Sequence, residues 1–181
     1  MSGTDRTKSA PDLAGPVVIL VEPQLGENIG TAARAMANFG LSALRLVKPR
    51  DEFPNARARA AASGADRVLE AAQLFETVPA AIADCTLVFA TTARAHDQAK
   101  PVVSAEAAAR IMAPRIAAGE QVGVLFGRER WGLENDEVAL ADQIITLPVN
   151  PAFASINIAQ AVLLIGYEWY KDQAASLGQE T

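Results

Sequence analysis

Short unbroken apolar runs alternate along this chain with longer stretches of helical periodicity. The first run, PVVILV at 16–21, is continuous and β-branched, the pattern of a strand covered on both faces of a parallel sheet. Comparable runs follow at 43–47, 86–90 (TLVFA), 121–126 (QVGVLF) and 143–147 (QIITL). Between them the period lengthens. A helix over 28–39 puts Ile29, Ala32, Ala33, Met36 and Phe39 on one stripe, with Asn28 as its cap and Gly40 as its stop. Further helices are expected at 55–63, at 73–84 with Pro79 near its middle, and at 105–118 with a break at Pro114. A short helix at 134–141 and a long, very apolar one at 155–175 complete the set. Strands alternating with helices predict an α/β fold with a mostly parallel sheet. Residues 1–15 read as a flexible polar tail, 16–175 as one domain, and the polar run 176–181 as a linker stub.

Composition narrows the picture. Half of the 181 residues are hydrophobic and 20% are charged, which excludes a disordered chain. One domain of this size builds a core without disulfides or metal. The net charge of −5 argues against a generic basic nucleic-acid binder. That total hides local patches: between Arg45 and Arg59, five basic residues (Arg45, Lys48, Arg50, Arg57, Arg59) face two acidic ones, Asp51 and Glu52. Arg34, Arg94, Lys100, Arg128 and Arg130 fall in strand-to-helix junctions, although Arg57 and Arg59 also fit a plain solvated helix face. The single Cys85 lies in an apolar run and reads as a buried thiol; with the single His96, it leaves no disulfide and no zinc cluster. The polar N-terminus has no apolar leader core, and no run nears the roughly 18 apolar residues of a membrane span. A cytoplasmic protein with no metal and no membrane partner is the expectation.

The usual phosphate loops of α/β proteins are absent. No two glycines are two apart, so there is no GxGxxG, and neither GK[ST] nor GxSxG occurs. Three other junctions stand out. Asn28-Ile29-Gly30-Thr31-Ala32-Ala33-Arg34 joins a strand end to a helix start, where α/β sites form. Gly30 allows close approach of a ligand or of another backbone, and Arg34 points away from the apolar stripe. The segment fits equally a capped helix with an exposed arginine. Phe126 to Asn135 (FGRERWGLEN) packs Arg, Glu and Arg beside Trp131 between two glycines, or is a salt-bridged turn. Leu147 to Ala159 (LPVNPAFASINIA) is a two-proline loop opening a helix, or simply a cap on a buried helix.

In this order the three segments resemble the three motifs of the SPOUT-class RNA 2′-O-ribose methyltransferases, in the TrmH-like branch. Asn28, Gly30 and Arg34 match N-x-G-x-x-x-R; Phe126, Gly127, Glu129, Gly132 and Leu133 match the second motif; Ser155, Ile156, Asn157 and Ile158 match S-[LMI]-N-[LIV]. Within the branch the chain is similar to the TrmJ type, tRNA methyltransferases acting on the first nucleotide of the anticodon loop (position 32), through VEPQLGENIGTAARAMANFG, TTAR at 91–94, FGRERWGL and LPVNPAFASINIAQAV. Ile156 stands where leucine is commoner. TrmJ-type enzymes carry an added C-terminal helical domain, to which 176–181 would lead.

The resemblance implies a SPOUT-type sheet with helices on both faces and a C-terminal deep trefoil knot from about 121 onward. It implies S-adenosylmethionine bound by Thr91, Thr92, Ala93, Gly127, Leu147 to Val149, Ala154, Ser155 and Ile156. It implies a tRNA substrate and a homodimer whose sites borrow residues from the partner; the long last helix fits that role or that of a central core helix. In the family, the arginine matching Arg34 activates the ribose hydroxyl. Since arginine stays protonated in proteins, positioning and alkoxide stabilisation are the physically favoured role. Asn28, Glu129, Ser155 and Asn157 would orient Arg34, the ribose or the cofactor. The alternatives are the same chemistry on another RNA (rRNA or the tRNA wobble nucleotide) and a catalytically idle module that binds RNA or a partner.

Overall fold

Seven strands form one sheet in the computed structural model, which describes residues 14–92, 99–176 and 178. They are β1 (Val17–Val21), β2 (Leu44–Val47), β3 (Gln73–Phe75), β4 (Leu87–Thr91), β5 (Val102–Val103), β6 (Val122–Phe126) and β7 (Gln143–Ile145). Their order is β3-β2-β1-β6-β4-β7-β5, and every neighbouring pair is parallel. The helices are α1 (Gly26–Asn38), α2 (Ala56–Ala62), α3 (Asp66–Glu70), α4 (Val78–Ala81), α5 (Ala105–Ala117), α6 (Asn135–Ala139) and α7 (Ile158–Ser176).

Both faces of the sheet are covered. Val18 and Leu20 of β1 pack into a core with α1, α2, α3, α5 and α7, while Val17, Ile19 and Val21 pack with α4 and α6 on the other face. Two-sided burial is why the strand segments read as unbroken apolar runs. The chain builds outward from β1 to β3, then resumes beyond β6. The C-terminal ends of the central strands β1, β6 and β4 therefore meet where the direction of winding reverses, the place where sheets of this kind bind ligands.

Several local expectations are corrected. The segment 73–84 is not one helix: Gln73 to Phe75 pairs with β2 as an edge strand, and only Val78–Ala81 is helical. Pro79 is thus in a first turn, where its missing N–H costs nothing, behind a Thr77 cap that accepts from the Ala80 N–H at 3.2 Å. Helix α5 does not break at Pro114 but runs on for one more turn. Helix α1 starts two residues early, so Asn28 is buried inside the first turn and is not its cap. Helix α7 starts at Ile158, after a 3-10 turn at Pro151–Phe153, and α3 and β5 were not foreseen.

Gly30 meets another backbone. A Cβ there would lie 2.1 Å from the Ala58 carbonyl oxygen and 2.8 Å from the Ala61 Cβ, so α1 and α2 touch at this point. The Ala-rich sequence of α2 permits the approach, with Ala58 and Ala62 fully buried. On the other side of the sheet Arg45 is buried in β2. Its guanidinium donates to both Asp84 oxygens, at 2.6 and 2.8 Å, and to the Ala81 carbonyl at 2.7 Å. The hydrogen bond from Arg45 holds the Asp84 carboxyl below its ordinary range. Beside it, burial pushes the Cys85 thiol up to about 11, which keeps it protonated and inert at neutral pH. Among the described residues, no helix is long and apolar enough to cross a membrane.

Two outcomes follow from this packing. Gly30→Ala drives a methyl into the α2 backbone and costs about 1–3 kcal/mol, read as a thermal midpoint lower by roughly 3–10 °C. Asp84→Asn leaves Arg45 without its counter-charge and costs about 1–2 kcal/mol at pH 7, modest because half of Asp84 faces water. Asp84 has a depressed carboxyl, so its stabilisation is complete above the ordinary carboxylate pKa and fades as pH falls through the lower folded value. Denaturant unfolding at pH 7 and pH 3 checks this: the deficit of the Asn variant shrinks at the acidic end.

Candidate active site

Helix α1 lacks a cap from its own sequence: its cap position is Leu25, with no side-chain acceptor. The acceptor comes from 104 residues away. Glu129 accepts from the Gln24 N–H with both carboxylate oxygens at 2.9 Å, from the Leu25 N–H at 3.2 Å, and from the Asn28 Nδ2 at 3.1 Å. A carboxylate at a helix N-terminus is favoured by the unpaired N–H groups and by the helix dipole. It also fixes the next amide. Because a carboxylate can only accept, Asn28 must turn its Nδ2 toward Glu129 and its Oδ1 away. That Oδ1 accepts from Asn157 Nδ2 at 3.0 Å, and Asn157 Oδ1 accepts from the Ala159 N–H at 2.8 Å, satisfying the start of α7. One hydrogen-bonded chain thus joins all three segments singled out in the sequence.

Glu129 is held by the hairpin 128–132 that follows β6. The Arg128 N–H donates to the Gly132 carbonyl at 3.2 Å, and the Gly132 N–H donates back at 2.9 Å. Gly132 has φ +69°, a left-handed conformation suited to glycine. A Cβ on Gly127 would lie 2.1 Å from the Gly132 carbonyl carbon, so the hairpin folds flat against the strand end. Arg128 locks it from beneath. Its guanidinium donates to both Glu137 oxygens at 2.9 Å, to the Gly132 carbonyl at 3.2 Å and to Glu22. Its hydrogen bonds to Glu137 first, and then to Glu22, outweigh burial and raise the Arg128 pKa above its usual value.

These loops enclose a cavity of about 310 Å³. Thr91 and Thr92 line it from the end of β4, Gly127 and Glu129 from the β6 junction, and Leu147, Ala154, Ser155 and Ile156 from the loop before α7. Thr91 is anchored through its hydroxyl to the Leu125 carbonyl at 2.7 Å. Ser155 has no hydrogen-bond partner among the described residues. Ala93, Arg94 and His96 lie outside the described residues. Asn28 and Asn157 stand behind the cavity rather than in its lining, and Arg34 is exposed on α1, outside the lining and without an ion pair among the described residues. The network of Asn28, Glu129 and Asn157 does not touch Arg34.

Three of the basic residues counted toward an outer patch face inward. Arg45 pairs with Asp84, Arg128 with Glu22 and Glu137, and Lys100 donates its Nζ to the Ala139 and Ala141 carbonyls at 3.1 and 2.6 Å. Sequence reasoning missed Glu22, Glu137 and the Gln24 and Leu25 amides. A signal existed only for Glu137: with Glu134 it forms a capping box at the start of α6. Among the described residues, no group of three or more His, Cys, Asp or Glu side chains could hold a metal ion.

The chain is 38% identical over 164 residues to the tRNA (cytidine/uridine/adenosine-2′-O-)-methyltransferase TrmJ of Pseudomonas aeruginosa, covering 91% of this chain and 63% of that protein. It is 39% identical over 152 residues to the tRNA (cytidine/uridine-2′-O-)-methyltransferase TrmJ of Salmonella typhimurium, covering 83% of this chain and 61% of that one. It therefore spans about three-fifths of the length of these relatives. The crystal structure of TrmJ from Z. mobilis ZM4 superposes with a TM-score of 0.83 at 59% identity, over 88% of this chain and 70% of that one. Residues 15–167 match the SpoU rRNA Methylase family, which takes in the sheet, the hairpin and the start of α7, and the chain belongs to that family.

Proposed function

We propose that the cavity holds S-adenosylmethionine and that the protein methylates the ribose 2′-hydroxyl of a tRNA anticodon-loop nucleotide, C or U at position 32. The observation that carries this reading is the joining of three strand-to-helix junctions around one cavity by the Glu129–Asn28–Asn157 chain. The residues present suit the cofactor. Leu147, Ile156 and Phe126 give an apolar slot of the kind adenine needs, edged by loop backbone. Thr92 and the unpaired Ser155 hydroxyl provide polar groups for a ribose or an amino-acid end. Glu129 supplies negative charge in the wall, a counterpart for a sulfonium cation. When bound, the cofactor supplies an electrophilic methyl on that sulfonium.

The residues of the chain do the rest. Arg34 binds a phosphate flanking the target ribose and stabilises the oxyanion that develops as the hydroxyl loses its proton to water; it does not take the proton itself. Its place outside its own cavity supports a homodimer in which α1 of one protomer serves the cavity of the other. Leu163, Leu164, Tyr167 and Tyr170 on α7 are 38 to 48% exposed, a row of large apolar side chains that a second copy would cover. Phe39 ties α1 to this row through its ring contacts with Tyr167 and Tyr170. The deep trefoil knot over 121 to α7 belongs to the same reading, supported by family membership and by the return of α7 onto α1 and α5 after β7.

Incubation with methyl-labelled S-adenosylmethionine and total tRNA, followed by mapping of the product, tests the substrate. A 2′-O-methyl group at position 32 is expected, and methylation outside the anticodon loop overturns that assignment. Calorimetric titration with S-adenosylmethionine should give saturable heat; none would mean an idle module. Arg34→Ala should lower turnover by about 100-fold or more and change cofactor affinity little. Equal turnover by the variant would remove Arg34 from the chemistry.

A further inference from the structure

The tip of the hairpin 128–132 presents two residues whose side chains make no hydrogen bond or ion pair among the described residues. Arg128 and Glu129 are turned inward, each held by several hydrogen bonds. Arg130 and Trp131 are turned outward, and both line the cavity. Trp131 is 60% exposed, whereas Trp169 on α7 is 3% exposed in the core. The Arg130 guanidinium lies over the Trp131 ring, 5.6 Å from its centroid, and has no carboxylate partner among the described residues. The hairpin beneath them is closed by two backbone hydrogen bonds and pinned by Arg128, so the indole is carried on a fixed support. A second exposed ring, Phe153 at 80%, stands on the turn just before Ala154 and Ser155 of the same cavity wall.

We propose that Trp131 is the stacking platform for a nucleobase of the RNA next to the methylated ribose, with Arg130 backing the ring and facing the phosphates. This deepens the proposed function and rests on it. A large aromatic side chain left in water on a rigid loop is unfavourable unless a partner covers it. The partner must suit a flat π face and a bare positive charge together. A base attached to a phosphodiester has both properties, and single-stranded loop nucleotides are the RNA form whose bases are free to stack on aromatic rings. The unpaired Arg130 favours this occupant over an apolar surface of a second protomer, which would have to bury the charge without a counter-ion. Adenine of the cofactor has its own apolar slot at Leu147 and Ile156. Trp131 is thus a positioning residue: it holds the base so that the ribose sits at the cavity mouth.

The test uses an anticodon stem-loop RNA and the full chain without any methyl donor, so that it stands apart from turnover. Tryptophan emission should fall on RNA addition, because Trp131 is the exposed one of the two indoles. Trp131→Ala should weaken RNA binding by about 10-fold, within the range that stacking on a base contributes, and Trp131→Phe should restore most of it. In turnover, the Ala variant should raise KM for RNA more than it lowers kcat. If wild type methylates RNA while the Ala variant binds it as tightly, the stacking role is wrong and the proposed function stands. If wild type neither binds nor quenches with the stem-loop, both fall. Equal losses of RNA and S-adenosylmethionine affinity would assign Trp131 to the cofactor. A shift in oligomeric state in the Ala variant would assign it to the partner protomer. Either result overturns the proposal.

Discussion

The Glu129 carboxylate occupies the one place where α1 cannot complete itself. With Leu25 at the cap position, no side chain of the helix's own sequence caps its start. Glu129, from the hairpin after β6, takes the N–H groups of Gln24 and Leu25 that lead into the helix and the Asn28 side chain within it, and a hydrogen bond to a charged group contributes about 1.5–3 kcal/mol. The consequence reaches past α1. The carboxylate sets the direction of the Asn28 amide, Asn28 sets that of Asn157, and Asn157 satisfies the start of α7. Without Glu129 the amides of residues 24, 25 and 28 lose a common acceptor, and the Ala159 N–H alone is left to orient the two asparagines. The walls of the cavity come from the loops these bonds join.

The same loops explain why net charge misleads here. A formal count does not distinguish charges that face solvent from charges spent inside. Arg45 and Arg128 are nearly covered and bonded to carboxylates, and Lys100 caps the carbonyls at the end of α6. On the acidic side Glu129 meets no cation among the described residues: amide donors hold it. The total of −5 therefore includes a carboxylate committed to architecture. Lys48, Arg57, Arg59, Arg34 and Arg130 remain at the surface. Arg57 meets only a loose ion pair with Glu27 at 3.8 Å, of the kind worth little in water. Such a surface can touch a few phosphates while the molecule as a whole stays acidic.

How much of this was legible depends on whether a feature is local. The buried strands β1, β4 and β6 were legible because covering on both faces leaves an unbroken apolar run. The first two junctions were legible because they follow directly from β1 and β6, and the third because its two prolines separate β7 from an apolar helix. The strand β3 was not: Gln73, Leu74 and Phe75 lie on an edge with Leu74 half-exposed, and only pairing with β2 makes them a strand. Asn28 looked like a cap because asparagine before an apolar stripe usually is one. Its true partners lie 101 and 129 residues away. Gly30 announced a close approach, and the sequence left open what approached; the answer, the carbonyl of Ala58, depends on how α2 docks. The lining residues Thr91, Gly127, Leu147 and Ser155 were placed by their motif positions. Their convergence on one cavity is a property of the sheet order, which no single segment encodes.

Arg34 shows how firmly such geometry constrains chemistry. It follows Asn28 by six residues, about 9 Å along the axis and two-thirds of a turn past one full rotation. Asn28 is fixed toward the cavity side by Glu129, while Ala32, Ala33, Ala35 and Met36 are all buried around Arg34. The helix therefore presents Arg34 to solvent, away from its buried face. The packing of Gly30 on α2 and of Phe39 on the α7 tyrosines leaves α1 no freedom to turn. An exposed arginine outside the lining of its own cavity suits the proposed arrangement, in which it serves the cavity of a second copy. In the proposed mechanism Glu129 thus fixes the entry of the helix that carries Arg34 toward the second copy.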